Sequence, residues 1–271
     1  MLLPRGSEAI SPTGHYTGYV WVRNGLAPQA LATPEGRLFY HALEPAMAVS
    51  RRLGQPTFEG LLVARHQVLD TLLAAAIDRG EIGQVIEIAA GLSARGWRLL
   101  RRYGQALTYV EADLPGMVAR KERLLRRLDG PSPRLVTVDA LRDEGPGSLA
   151  ELASTLDPEV GTAIVTEGLL NYFDLGEVRS MWRRFSSVLL GFPTGAYFAD
   201  LILAPQADSL AGKLGRGVLS TVVRGRVHLH FDAATEAEEA LREAGFPAAE
   251  VTPAGEQSPS ASVVHIVDAW T

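Results

Sequence analysis

Five apolar runs, separated by helical patterns, constrain the fold of this chain more than any other feature. They lie at 84–90, 107–112, 134–138 (RLVTV), 161–166 (GTAIVT) and 195–203 (GAYFADLIL), with helical patterns at 93–103, 115–128, 147–155 and 174–190. A strand that is apolar along its whole length has both faces buried, so strands of this kind alternating with helices predict a parallel α/β sheet covered on both sides. The tail adds a helix at 233–244 stopped by Gly245, then two short strand patterns near 248–253 and 262–269. The stretch from Asp174 to Glu177 reads as a capping-box start.

Upstream the pattern changes. A helix fits Thr57 to Arg79, with Thr57 as N-cap and Leu61, Leu62, Val68, Leu69, Leu72 and Leu73 as its apolar face. Residues 1–56 carry an aromatic cluster, HYTGYVW, and are broken by Pro28, Pro34 and Pro45. They read as an irregular, partly helical cap (1–56) on a ligand-binding unit (57–271). Residues 204–226 read as an insertion, an amphipathic helix with a loop.

Composition narrows the function. The 271 residues include no cysteine, which excludes disulfides, thiolate metal sites and cysteine nucleophiles. A net charge of -5 argues against a nucleic-acid grip built on bulk charge. The N-terminal residues lack the apolar core of a signal peptide, and no later run suggests a membrane span. A cytoplasmic protein that engages neither membrane nor nucleic acid is the expectation.

In open α/β sheets the ligand sits beyond the carboxyl ends of the strands. There the sequence places acids: Glu87 in the first strand, Glu111 at the end of the second, Asp139 after the third and Glu167 after the fourth. Buried carboxylates need partners, and helix capping accounts poorly for four together. Glu111 follows Gly91 by 20 residues, the place where nucleotide folds put an acid for ribose hydroxyls. Asp139 would take an adenine amino group, with Leu141 beside the ring. Gly91 lets the backbone approach a ligand, and the helix opening near Ser93 points its positive end there. Only one glycine stands where a pyrophosphate-binding turn has three. A ribose-and-base ligand without phosphates, such as S-adenosylmethionine, therefore fits better than a dinucleotide, and a nicotinamide oxidoreductase is the weaker reading. Arg65 would meet the amino-acid carboxylate of that ligand and Glu167 its ammonium.

The stretches VARHQVLD, VIEIAAGLSARGWRL, YVEADLP, VDAL at 138–141 and VTEGLLNYF occur in an order and spacing that resemble the leucine carboxyl methyltransferase family. These are S-adenosylmethionine-dependent O-methyltransferases, and the likeness spans roughly residues 57 to 175. The resemblance implies a class I methyltransferase sheet of seven strands with the last one antiparallel. It also implies a cofactor site formed by Arg65, Glu87, Ala89, Gly91, Ser93, Glu111, Asp139, Ala140, Leu141, Glu167 and Gly168. Two positions depart from the family's G-x-G-x-D: Ala89 replaces the first glycine, a small change in side-chain size, and Ser93 replaces the aspartate. A methyltransferase-like protein that binds without catalysing is the alternative these departures raise.

Methyl transfer from a sulfonium needs alignment and exclusion of water, and a base only when the acceptor is a hydroxyl. The acceptor is expected to be a small molecule methylated on a carboxylate or a hydroxyl. Candidate catalytic residues are His15 and Tyr16 in the cap and Tyr172 after the fourth strand, with His15 preferred as a base. Tyr19, Trp21, Asn171, His228 and His230 are further pocket candidates. No third ligand accompanies the two histidines of VHLHF, so no metal is expected.

Overall fold

The computed structural model describes residues 12–205, 228–255 and 260–271. All but the first two residues of the 204–226 insertion lie outside these. Seven strands form one sheet in the order β3-β2-β1-β4-β5-β7-β6. They are β1 (Gln84–Ile88), β2 (Thr108–Asp113), β3 (Arg134–Thr137), β4 (Thr162–Thr166), β5 (Gly195–Leu201), β6 (Ala248–Pro253) and β7 (His265–Trp270). The first five pair in parallel, and β7 runs antiparallel to both its neighbours, β5 and β6. Strand order reverses between β1 and β4, so the switch point opens at their carboxyl ends.

Side-chain alternation sorts the two cores. Val85, Tyr109, Ala163, Val165, Ala196 and Phe198 face one side of the sheet, packing on Leu61, Leu62, Leu69 and Leu73 of α3 (Phe58–Asp78). Ile86, Val110, Ile164, Tyr197 and Ala199 face the other, under Trp182 and Phe185 of α7 (Leu175–Leu189) and Leu241 of α8 (Ala234–Glu243). Contrary to the sequence expectation, α3 is long and apolar enough to cross a membrane. Here its apolar face lies on the sheet instead. Its start is capped as expected, with Thr57 Oγ1 accepting from the Gly60 amide at 3.0 Å. The capping box of α7 is also present, through Glu177 N to Asp174 Oδ1 at 2.9 Å and Asp174 N to Glu177 Oε2 at 3.1 Å.

The cap is more regular than its prolines suggested. Its helices are α1 (Pro12–Arg23) and α2 (Pro34–Arg52). Pro34 stands at the first turn of α2, where its missing N–H costs nothing, and Pro45 lies inside that helix without ending it. HYTGYVW is therefore helical. Between β1 and β2 runs α4 (Arg95–Tyr103), between β2 and β3 runs α5 (Pro115–Leu125), and before β4 lies the short α6 (Leu149–Ala153). β1 stops at Ile88, two residues short of the sequence reading, because Ala89 has φ 54° and Gly91 φ 51°. Neither conformation continues a strand. β2, by contrast, extends one residue further, to Asp113.

Candidate active site

A network of buried charges underlies the carboxyl ends of β1 and β4. Arg95, in the first turn of α4, is fully buried. It donates to three carboxylates: Asp70 Oδ1 at 2.6 Å, Glu87 Oε1 at 2.5 Å and Glu167 Oε2 at 2.6 Å. Glu87 also accepts from the Tyr109 hydroxyl at 2.9 Å. Glu167 further accepts from Arg65 Nε at 3.0 Å and from His66 Nδ1 at 2.7 Å. Burial alone would raise its pKa, but His66, Arg95 and Arg65 beside it hold the carboxyl well below the ordinary value. His66 Nε2 lies 2.9 Å from Arg98 Nη2, which suits an imidazole that accepts there and donates to Glu167. Trp21 of α1 packs against the same ring at 4.7 Å.

Arg65 extends the network to β5. Its Nη1 donates to Asp200 Oδ2 at 3.0 Å, and Asp200 Oδ1 accepts from the Gly168 amide at 2.6 Å. Gly168 has φ 68°, and a Cβ there would lie 2.8 Å from Arg65 Nη2. Arg65, Glu167 and Gly168 are thus brought together as expected, joined by Asp200, which sequence reasoning missed. Asp200 sits inside an apolar strand, GAYFADLIL, and that was its available signal. Four carboxylates (Asp70, Glu87, Glu167, Asp200) meet three guanidinium groups (Arg65, Arg95, Arg98) in these contacts. These contacts hold one more carboxylate than guanidinium, so an additional cation suits the site.

Glu111 lies deeper than the sequence reading placed it. It pairs in register with Glu87 on the inner face of the sheet, and its side chain is buried. Lys121 Nζ of α5 lies 2.5 Å from its Oε2. The pair is close in distance, yet neither group has a partner with good hydrogen-bond geometry among the described residues. Burial pushes the Glu111 carboxyl up to about 7, against the pull of Lys121. A Cβ on Gly96 would come within 2.8 Å of Oε1, so α4 seals this carboxylate from the mouth. The acid at the strand end is Asp113, two residues on and so on the same face. Its Oδ2 accepts from the Gly91 amide and its Oδ1 from the Leu114 amide, both at 2.8 Å. Burial raises its pKa, and those two amides lower it.

The loop between them is shaped for close approach. A Cβ on Gly91 would meet only the Ala89 carbonyl oxygen, at 3.9 Å. Ala89, by contrast, puts a side chain on left-handed backbone, which costs about 1–2 kcal/mol for an L-residue. The alanine is therefore not the small change its size implied. Ser93 is buried, and its Oγ accepts from the Arg95 amide at 3.2 Å, which turns the chain into α4. Asp139 is exposed after β3, with Oδ1 accepting from Leu141 N at 3.0 Å, and Ala140 and Leu141 are half-buried beside it.

The cap candidates divide. Gly18 of α1 presses on Leu92, where an added Cβ would lie 2.9 Å from the leucine Cβ, so α1 covers the β1–α4 loop. Tyr16, proposed as catalytic, is instead a core residue. It is 1% exposed, its ring lies 6.1 Å from Tyr40 and 5.4 Å from Phe58, and burial raises its pKa far out of working range. His15 Nδ1 lies 3.0 Å from Thr33 Oγ1, the N-cap hydroxyl of α2. Burial lowers its pKa, and its visible work is to join the two cap helices. Tyr172 is 40% exposed in the turn after β4. No cluster of metal-ligating side chains occurs among the described residues.

Comparison with known proteins fits this geometry. The family model for leucine carboxyl methyltransferase matches residues 27–185. A relative from Mycolicibacterium smegmatis is 36% identical over 165 residues, covering 60% of this chain and 50% of its own. One from Mycolicibacterium gilvum is 34% identical over 122 residues, covering 44% and 38%. Both bear the name "Putative S-adenosyl-L-methionine-dependent methyltransferase". The matched stretches thus span half or less of these relatives. Among solved structures, a protein from Thermobifida fusca described as a "putative methyltransferase" aligns with TM-score 0.67 at 14% identity, over 97% of this chain and 95% of its own. Magnesium protoporphyrin IX methyltransferase from Synechocystis, solved with bound S-adenosylhomocysteine, aligns with TM-score 0.53 at 15% identity, over 80% and 89%. These likenesses establish the class I methyltransferase fold.

Proposed function

Since this chain belongs to the leucine carboxyl methyltransferase family, we propose that it is an S-adenosylmethionine-dependent O-methyltransferase acting on a carboxylate or hydroxyl of a small molecule. The observation that carries the reading is the strand-end arrangement. Asp113 lies across from the open face of Gly91, and Arg65, Glu167 and Asp200 converge one strand away. In this reading Asp113 receives the ribose hydroxyls, and Asp139, Ala140 and Leu141 line the adenine side. Glu167 and Asp200 supply the negative charge an ammonium needs, and Arg65 the positive charge for a carboxylate. Ala89, Gly91 and Gly168 provide the close backbone approach. Glu87, Ser93 and Arg95 act from beneath, as supports for that loop.

When bound, the cofactor supplies an activated methyl group and its own leaving group. The protein's part is alignment and dryness. The charge network fixes Glu167 in place, and α1 lies over Leu92 to exclude water from that side. A nicotinamide reading suits this loop poorly. The Gly91 amide is already given to the Asp113 carboxylate, whose negative charge opposes a pyrophosphate. Calorimetric titration with S-adenosylhomocysteine, beside an NAD control, tests the proposal. Micromolar binding of the first and no heat from the second is the expected result; the reverse refutes it.

A further inference from the structure

The turn that carries Glu167 and Tyr172 holds a second feature, outside the cofactor residues. Residues 228–231 run beside it: His228 N donates to the Asn171 carbonyl at 2.9 Å, and Asn171 Nδ2 donates back to the His228 carbonyl at 2.8 Å. The far end is fixed by Ala204 N donating to the Phe231 carbonyl at 3.0 Å, and by the Phe231 ring stacked on Trp182 at 5.7 Å. Between these anchors, His230 Nε2 lies 2.7 Å from the Phe173 carbonyl oxygen.

A carbonyl oxygen only accepts, so Nε2 carries the hydrogen, and in the neutral ring Nδ1 is the lone-pair nitrogen. That nitrogen is closed from solvent and has no hydrogen-bond partner among the described residues. A buried acceptor left unpaired is uncommon in folded proteins and costs stability. A backbone carbonyl, an imidazole oriented by it and a free nitrogen opposite form the base half of a proton-transfer relay. Burial lowers the ring's pKa, and the parallel His228 ring, 6.2 Å away, lowers it further, whereas the Phe173 carbonyl and Asp174 raise it.

We propose that His230 is the general base for this site, taking the proton of a hydroxyl acceptor at Nδ1. The acceptor class is thereby an alcohol or phenol rather than a carboxylate, which needs no base. This rests on the methyltransferase reading above. The acceptor's O–H bond breaks, its proton passes to Nδ1, and its electron pair forms the bond to the methyl carbon. The carbon–sulfur bond of the sulfonium donor breaks with its pair left on sulfur. The imidazolium, held by its Nε2–H to Phe173, then returns the proton to solvent. Reaching Nδ1 takes a shift of the atoms that now close it.

The test uses the full chain as wild type, His230→Asn, His230→Gln and His228→Asn. S-Adenosylhomocysteine binding is measured for each, and labelled methyl transfer is followed from pH 5 to 9. Catechol and benzyl alcohol serve as hydroxyl probes, benzoate and phenylacetate as carboxylate probes. Nitrogen-15 NMR of labelled histidine reads the His230 tautomer without any turnover. The expected results are transfer to a hydroxyl probe and not to a carboxylate, and an Nε2–H tautomer. The wild-type rate should rise with pH and level off once His230 is neutral. His230 variants should bind S-adenosylhomocysteine as wild type does, yet transfer about 10²- to 10⁴-fold more slowly without that rising limb. His228→Asn should move the limb to higher pH. The assignment is overturned by transfer confined to carboxylates, by no transfer to hydroxyls in a protein that binds S-adenosylhomocysteine, by an unchanged pH profile in the His230 variants, or by an Nδ1–H tautomer. Wild type that fails to bind S-adenosylhomocysteine defeats the methyltransferase reading itself, a distinct outcome.

Discussion

Replacing Arg95 by methionine tests whether the charge network is what shapes the site. Methionine keeps much of the side chain's length and removes the guanidinium that joins Asp70, Glu87 and Glu167 at 2.5 to 2.6 Å. Asp70 retains Arg98, and Glu167 retains Arg65 and His66, whereas among the described residues Glu87 keeps only the Tyr109 hydroxyl. Removing one partner of a buried charge cluster costs about 3–5 kcal/mol. For a chain of this size that lowers the melting midpoint by about 2–4 °C per kcal/mol. The pH dependence has a definite sign. Arg95 helps hold Glu167 below its ordinary pKa of 4.5, so its contribution is complete above that pH and fades as acid titrates the native carboxylate. Adding Glu87→Gln should return at least about 1 kcal/mol, because the most isolated charge is then neutral. Urea unfolding at pH 7.5 reads the deficit and its rescue. A deficit under about 1 kcal/mol, or no return on adding Glu87→Gln, would refute the reasoning.

Other outcomes follow from neighbouring residues. The Glu111→Gln, Lys121→Met double variant should be as stable as wild type, or up to about 4 kcal/mol more so, since a buried ion pair with poor hydrogen-bond geometry is replaced by uncharged groups. A loss of stability in urea unfolding would count against it. Ala89→Gly should add up to about 1 kcal/mol, the relief of a left-handed alanine less the greater freedom of glycine in the unfolded chain. Destabilisation by that change would mean the loop does not hold φ 54°.

The sheet was legible because buried parallel strands announce themselves as uninterrupted apolar runs, and all seven appeared where the pattern put them. Ends were less legible, and one end changes which acid stands at the mouth. Reading β2 as stopping at residue 112 put weight on Glu111, whereas the strand extends to Asp113 and carries that acid to the mouth. Periodicity cannot tell which of two acids on one face is the last. Arg95 and Lys121 were missed as buried partners, because an arginine or lysine in a helix pattern reads as a solvated face until the carboxylate beneath it is known. Tyr16 was misplaced for a related reason. An aromatic run broken by glycine looked irregular, yet formed a helix that buries its tyrosines against α2 and α3. His230 drew notice only as half of a pair, since a ring's tautomer depends on the carbonyl folded against it.

The most direct measurement is S-adenosylhomocysteine affinity by calorimetry for wild type, Asp113→Asn and Glu111→Gln. The strand-end assignment predicts that Asp113→Asn weakens binding at least about tenfold, the loss of one charge-assisted hydrogen bond, and that Glu111→Gln leaves it within about twofold. Equal binding by wild type and Asp113→Asn, with loss in Glu111→Gln, would contradict the account and return the ribose to the buried acid.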